Sequence, residues 1–272
     1  MTLGRSSNAQ QAVMAIQILS NVIRNERHGR FVGCFGNENI LNKLLDVDLV
    51  TVLRVSMDNH HSDVLVDVSV QALAEIFYHE LEENSLDYQF YQSSINGYIQ
   101  PCLAAKLSSD HDFKEEASEL KDIQVMNADL VLGILRTGIV DRICYLLEIK
   151  KLTSSASITN MLKILIRIAR HSLSVSHDLI KHQKLLDIVV QHFLPLKSFV
   201  PSATTLYDTP VHYAMKFIRL LMSWGRNFTK EILIKYELGP RLLCYLTIEP
   251  EPSAIVQESL RLIVGTISKK NV

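Results

Sequence analysis

Two groups of residues in this 272-residue chain have types and spacings that chemistry could use. The segment SVSHDLIKH brings together Ser176, His177, Asp178 and His182, a nucleophile, two imidazoles and a carboxylate. Those are the ingredients of acyl transfer or of a metal site, but their spacing argues against both. Catalytic triads are assembled from distant segments, and neighbours along one short helix point in different directions. His177 and His182 stand five apart, not the i, i+4 of paired helical ligands. His60-His61, Asp110-His111-Asp112, Glu82-Glu83 and Glu115-Glu116 are adjacent polar runs without metal or paired-acid geometry. No Gly-rich phosphate loop, HExxH or GxSxG occurs. A non-enzymatic protein with no cofactor and no metal is therefore expected.

The second group is cationic. The stretch MLKILIRIARHSLSVSHDLI is apolar enough for a core, yet Lys163, Arg167 and Arg170 run through it. On a helix advancing ~100° per residue, Ile158, Leu162, Leu165 and Ala169 share one side, and the three cations fall on the other. A later stretch, TPVHYAMKFIRLLMSWGRN, is laid out alike. There Ala214, Ile218 and Leu221 face inward, whereas Lys216, Arg219 and Arg226 cluster opposite. Arg261 continues the row with Glu258 beside it, while an earlier helix carries Asp63 and Asp67 on the matching face. Six cations on equivalent faces would suit an acidic peptide, a phosphorylated segment or a nucleic-acid backbone. The alternative is that solvated helix faces simply carry Lys and Arg, which are good helix formers.

The elements that carry these rows are helices in a recurring order. Apolar residues at three- and four-residue steps predict long helices beginning near residues 8, 62, 155, 209 and 252. Asn8 and Ser62 or Asp63 are the expected caps, and Pro210 suits a first turn. Shorter helices lie between them: ENILNKLLDV and DLVTVLRVSM, NADLVLGILRTG and IVDRICYLLEI, SVSHDLIKHQ and KLLDIVVQHFL, FTKEILIKYEL and PRLLCYLTI. Thr137-Gly138 reads as a helix stop. Short, short, long is the rhythm of armadillo- or HEAT-type units, each of which must stack on a neighbour to cover its apolar face. An all-α, right-handed helical-repeat superhelix, an α-solenoid, is expected. In such stacks the third helix of each unit lines the concave surface, which by analogy would turn the cationic rows into a groove.

Residues 1–82 read as N-terminal repeats, 83–126 as an acidic, partly mobile insertion, and 127–272 as further three-helix repeats of one array. Within the insertion, SLDYQFYQSSINGYIQPCLAA is aromatic enough to dock or to form a helix of its own. Net charge is −1, but it divides into −9 up to Met126 and +8 from Asn127 onward. Four cysteines without CxxC spacing suggest reduced, buried thiols. No secretory signal and no membrane-length apolar run is seen. Trp224, beside Gly225, is expected between repeats.

Several stretches resemble the RNA polymerase II-associated protein 1 family: GILRTGIVDRICYLLEI, LIRIARHSLSVS, AMKFIRLLMSWGRNFTKEIL, QQAVMAIQILSNVI and LLDVDLVTVLRVSMDN. They occur in one order over nearly the whole chain. The resemblance implies an interior piece of a longer, non-enzymatic helical-repeat protein found in nucleus and cytoplasm. It further implies binding to RNA polymerase II subunits, polymerase-associated assembly factors and Mediator, in support of polymerase assembly, nuclear delivery and transcription. It supplies no ligand residues, so Lys163, Arg167, Arg170, Lys216, Arg219 and Arg226 rest on the helical wheels alone. Two other classes fit the residues: a generic armadillo-type adaptor for acidic peptides, and a nucleic-acid-backbone binder. Direct nucleic-acid binding is disfavoured, because no aromatics interleave with the cations.

Overall fold

The computed structural model describes residues 8–31, 40–46, 48–59, 61–95, 125–126, 128–149, 154–194, 211–223, 226–246 and 253–268. Every regular element among them is an α-helix. In chain order these are α1 (Ala9–Arg27), α2 (Ile40–Asp46), α3 (Leu49–Ser56), α4 (Asp63–Phe77), α5 (Glu80–Ile95), α6 (Leu130–Arg136) and α7 (Ile139–Glu148). They continue with α8 (Ser155–Ala169), α9 (Leu173–Lys181), α10 (Gln183–Phe193), α11 (Val211–Ser223), α12 (Arg226–Lys235), α13 (Leu238–Leu246) and α14 (Ser253–Ser268). The five long helices expected from the periodicity are α1, α4, α8, α11 and α14. Asn8 caps α1 by accepting from the Gln10 and Gln11 amides, and Ser62 caps α4 by accepting from Leu65.

Contacts group the chain into two compact units, Met1–His79 with Lys106–Ile164, and Glu80–Ala105 with Leu165–Val272. The boundary expected at 82/83 thus falls inside α5, and the one at 126/127 inside the first unit. The acidic second half of the expected insertion, with Asp110-His111-Asp112, lies outside the described residues, as do Cys34, Cys102, Trp224 and Gly225. In the first unit α1 packs along α4 and buries Ala12, Ile16 and Ile23. In the second, α11 packs on α14 and buries Ala214, Phe217, Ile218 and Leu221. Cys144 is a buried free thiol and Cys244 a half-buried one. No described helix is long and apolar enough to cross a membrane.

Three junctions between short helices share one backbone device. The residue just before α3, α7 and α13 is left-handed: Asp48 at φ 64°, Gly138 at φ 67° and Glu237 at φ 48°. A left-handed residue reverses the chain at once, so the second short helix can fold back on the first. The α9–α10 junction differs. There His182 has φ −78°, and its Nδ1 accepts from the Leu185 amide at 3.3 Å.

Helix ends are closed by side chains in a repeating manner as well. Arg142, fourth in α7, donates through Nε at 3.0 Å to the Met57 carbonyl past the end of α3. Arg241, fourth in α13, donates to the Leu194 carbonyl past the end of α10. Ser176, fourth in α9, donates at 2.6 Å to Ala169 O, and Thr229, fourth in α12, donates at 2.8 Å to Met222 O. Each such bond satisfies a last-turn carbonyl that has no partner inside its own helix. The buried Ser176 hydroxyl is thus committed to a backbone carbonyl, whereas its neighbours His177 and Asp178 are exposed. The two hydroxyl bonds mark equivalent positions in successive repeats, 53 residues apart, so that Lys163 corresponds to Lys216.

Gly138 and Gly133 should respond differently to alanine. A Cβ at Gly138 would meet nothing within 4 Å, so its cost is the left-handed backbone alone, about 1–2 kcal/mol. At Gly133 a Cβ would sit 2.6 Å from Met126 Cα, and Gly133→Ala should destabilise more than Gly138→Ala. Glu237→Gly, by relieving the same backbone strain, should stabilise by up to about 1 kcal/mol. Urea unfolding followed by circular dichroism measures all three.

Candidate functional site

The site is built from three pairs of charged residues whose spacing puts each pair on one helix face. Glu83 and Asp87 stand four apart on α5, Lys216 and Arg219 three apart on α11, and Glu258 and Arg261 three apart on α14. Arg170, the residue following α8, completes the group. All belong to the second unit. Except for the partly exposed Arg261, they are buried, Arg170 and Asp87 to 1% exposure.

Asp87 is the hub. Its Oδ1 accepts from Arg170 Nη2, and from Arg219 Nη2 at 2.9 Å. Its Oδ2 lies 2.9 Å from Lys216 Nζ and 3.6 Å from Arg261 Nη1. Glu83 Oε2 accepts from Arg170 Nε at 2.7 Å and lies 3.4 Å from Lys216 Nζ. Glu258 accepts from Arg219 Nε at 2.9 Å through Oε2 and from Arg261 Nη1 at 2.6 Å through Oε1. Each guanidinium of Arg170 and Arg219 therefore bridges two carboxylates through charge-assisted hydrogen bonds, which its planar set of fixed donors allows.

Burial alone would raise the Asp87 pKa, but Arg219, Lys216 and Arg170 outweigh it and hold the carboxyl well below the ordinary range. Burial would likewise lower that of Arg219, and Glu258 and Asp87 reverse it, so the guanidinium stays charged. A further tie holds α5 at its start. The Tyr213 hydroxyl donates to Glu80 Oε2 at 3.4 Å, and burial followed by the Glu80 charge pushes its pKa up.

Three of the six cations read from the sequence thus stand elsewhere than expected. Arg170, Lys216 and Arg219 do not face solvent in an open groove; they are buried against the carboxylates of α5 and α14. The helical wheel placed them opposite the apolar side of their own helix, and that much holds. It could not see that an acidic helix 83 to 132 positions away covers that side. Lys163, half-buried, lies in the first unit with its ammonium 5.3 Å from the centre of the Tyr78 ring. Arg167 is half-buried, and Arg226 opens α12 with a side chain outside the described residues. In the first unit the acidic face of α4 also finds a partner, since Asp67 accepts from Ser157 Oγ of α8 at 2.5 Å. Glu83 and Asp87 were missed as site residues, although four-residue carboxylate spacing in an acidic segment was a visible signal. No group of three or more metal-ligating side chains occurs among the described residues.

No family model matches the chain. It is 28% identical over 279 residues to RNA polymerase II-associated protein 1 of Homo sapiens, and 26% identical over 287 residues to that of Rattus norvegicus. Each match covers 96% of this chain and 20% of the relative, so the chain spans about a fifth of the length of those proteins. Transcriptional elongation regulator MINIYO of Arabidopsis thaliana is 25% identical over 175 residues, covering 54% of the chain and 12% of that protein. Among solved structures, an engineered protein is similar with a TM-score of 0.54 at 16% identity, over 98% of this chain and 96% of that one. A designed armadillo repeat protein is similar with a TM-score of 0.50 at 15% identity, over 97% of each chain. At such identities the likeness shows the fold alone, an armadillo-like helical repeat.

Asp87→Ala should leave the buried cations without their shared carboxylate and destabilise the second unit by about 3–5 kcal/mol. Because the folded unit keeps Asp87 ionised to lower pH than the unfolded chain does, acidification drives protons onto the unfolded state. The stabilisation from Asp87 is therefore complete above about pH 4 and is lost as pH falls through the depressed folded value. The stability difference between the native chain and Asp87→Asn should accordingly narrow below about pH 4. Denaturant titrations at several pH values, read from the single tryptophan Trp224, check both outcomes.

Proposed function

We propose that this chain is a non-enzymatic scaffold that binds RNA polymerase II and polymerase-associated factors. In that role it supports polymerase assembly, nuclear delivery and transcription, acting in nucleus and cytoplasm, with Mediator as a further partner. The observation that carries the reading is similarity along 96% of the chain to proteins named RNA polymerase II-associated protein 1. The similarity to a transcriptional elongation regulator supports the same process. An armadillo-like fold suits the role, because stacked helices present extended faces to partners without needing a catalytic pocket. Of the six basic positions, Lys163, Arg167 and Arg226 are the ones carried forward as external contacts. Arg170, Lys216 and Arg219 act in this reading by fixing α5.

Immobilised chain should retain purified RNA polymerase II, and added DNA or RNA should not release it. Lys163→Glu, Arg167→Glu and Arg226→Glu, each made singly, should weaken retention several-fold, mainly through slower association that depends on salt. Failure of the native chain to retain polymerase would remove the reading. Retention unchanged in all three variants would remove these cations from it.

A further inference from the structure

We propose that Arg54 and Arg142 form a binding site for a carboxylate from outside the chain, the acidic side chain of a protein partner. Both arginines belong to the first unit, whereas the Asp87 cluster belongs to the second. The proposal does not require that the partner be polymerase.

Charge balance is the first reason. The two guanidiniums share one carboxylate: Asp58 Oδ1 lies 2.8 Å from Arg54 Nη1 and 3.1 Å from Arg142 Nε. The side chains of Arg54 and Arg142 are 14% and 9% exposed, while that of Asp58 is 50% exposed. In the second unit the buried guanidiniums of Arg170 and Arg219 each bridge two carboxylates. The first-unit pair is thus left with an excess positive charge, in a place where water screens it poorly. Burial lowers the Arg142 pKa, and Arg54 adds to that effect against the opposing charge of Asp58.

Unused donors are the second reason. Arg142 spends Nε and Nη2 on the Met57 carbonyl, and its guanidinium lies 4.9 Å from the centre of the Tyr145 ring. These contacts fix the group, and its Nη1 makes no hydrogen bond among the described residues. Arg54 makes none either. Its Nε and Nη1 are buried without an acceptor, the contact of Nη1 with Asp58 being too oblique to count as one. Buried polar groups are ordinarily satisfied, so orphaned donors on two converging cations mark a place for an acceptor. Helix capping does not call for this arrangement. Arg241, the matching cap in the second unit, donates to carbonyls alone, those of Tyr236, Val190 and Leu194.

The class of ligand follows from the count. One further carboxylate makes the cluster neutral, two guanidiniums against two acids. A phosphoryl group, close to a dianion at neutral pH, would leave it negative beside Asp58. Asp58 and Tyr145, the latter 40% exposed, are the members at the surface, so the ligand arrives beside them and meets Arg142 Nη1. Arg54 then adds its charge from behind.

The test uses the full chain and fluorescein-labelled octaglutamate, read by fluorescence anisotropy at low salt. Arg54→Gln breaks no hydrogen bond and should weaken binding at least five-fold. Asp58→Asn removes the like charge beside the ligand and should tighten binding at least three-fold. Arg30→Gln and Asp63→Asn make the same charge changes at exposed positions of the same unit. Equal shifts from these controls, or none from Arg54→Gln, would overturn the proposal. Inorganic phosphate should displace the peptide no better than chloride at equal ionic strength; stronger displacement would overturn the assignment to a carboxylate. If Arg54→Gln does not keep its native circular dichroism, the arginine Nε resonances of the native chain decide. Sodium acetate should shift that of Arg142 more than sodium chloride does, and equal shifts would overturn the proposal.

Discussion

A guanidinium taken out of water must keep a carboxylate beside it, and much of the second unit follows from that requirement. Arg170 and Arg219 are buried. Each alone would be intolerable, yet together with Lys216 they make a site in which Asp87 is more stable ionised than it is in water. The carboxylate and the cations hold one another in their charged states. One acidic side chain thereby links α5, α11, α14 and the end of α8, elements far apart in sequence. Such a network contributes less to net stability than an apolar core of the same volume would, but it specifies which helix sits where. Replacing its parts with neutral residues would remove the reason for α5 to occupy this face instead of another.

The rest of the fold is simpler because its problems are local and recur. Each short-helix pair needs a sharp reversal, which a left-handed residue supplies at Asp48, Gly138 and Glu237. Each helix end needs its last carbonyls satisfied, which Arg142 and Arg241 do from one side chain type and Ser176 and Thr229 from another. Solving these needs within the repeat leaves the polar helix faces free to vary in charge. That freedom suits a scaffold, whose partners are selected by surface pattern. It also explains how two units of related construction can differ, one with an acidic face on α4 and the other with a basic face on α11.

The helices were legible in the residues themselves. Apolar steps of three and four located the long helices to within two residues of their observed starts. Asn8, Ser62 and Gly138 mark their boundaries by chemistry that acts over three or four positions. The functional face was legible only in part. The wheels separated Lys163, Arg170, Lys216 and Arg219 from the apolar side of their helices, and of the six cations Arg170, Lys216 and Arg219 meet around Asp87. Neither an open groove nor a solvated face describes Arg170, Lys216 and Arg219, because carboxylates of α5 and α14 meet them. By sequence Glu83 and Asp87 fall at the beginning of an insertion, and residues 85–105 are aromatic enough either to dock or to form a helix of their own.

What the sequence by itself determined is whatever depends on near neighbours: helix identity, caps, turns, the side each residue presents to its own apolar stripe, and the order of short and long elements. Only the tertiary structure decided what covers each polar face. Helical periodicity defines a direction around one axis and carries no information about the element that arrives from that direction. The same Lys216 and Arg219 would be a solvated stripe with α5 elsewhere, and they are a buried cluster with α5 in place. Coulomb attraction between groups more than eighty residues apart, and not any local propensity, makes that difference.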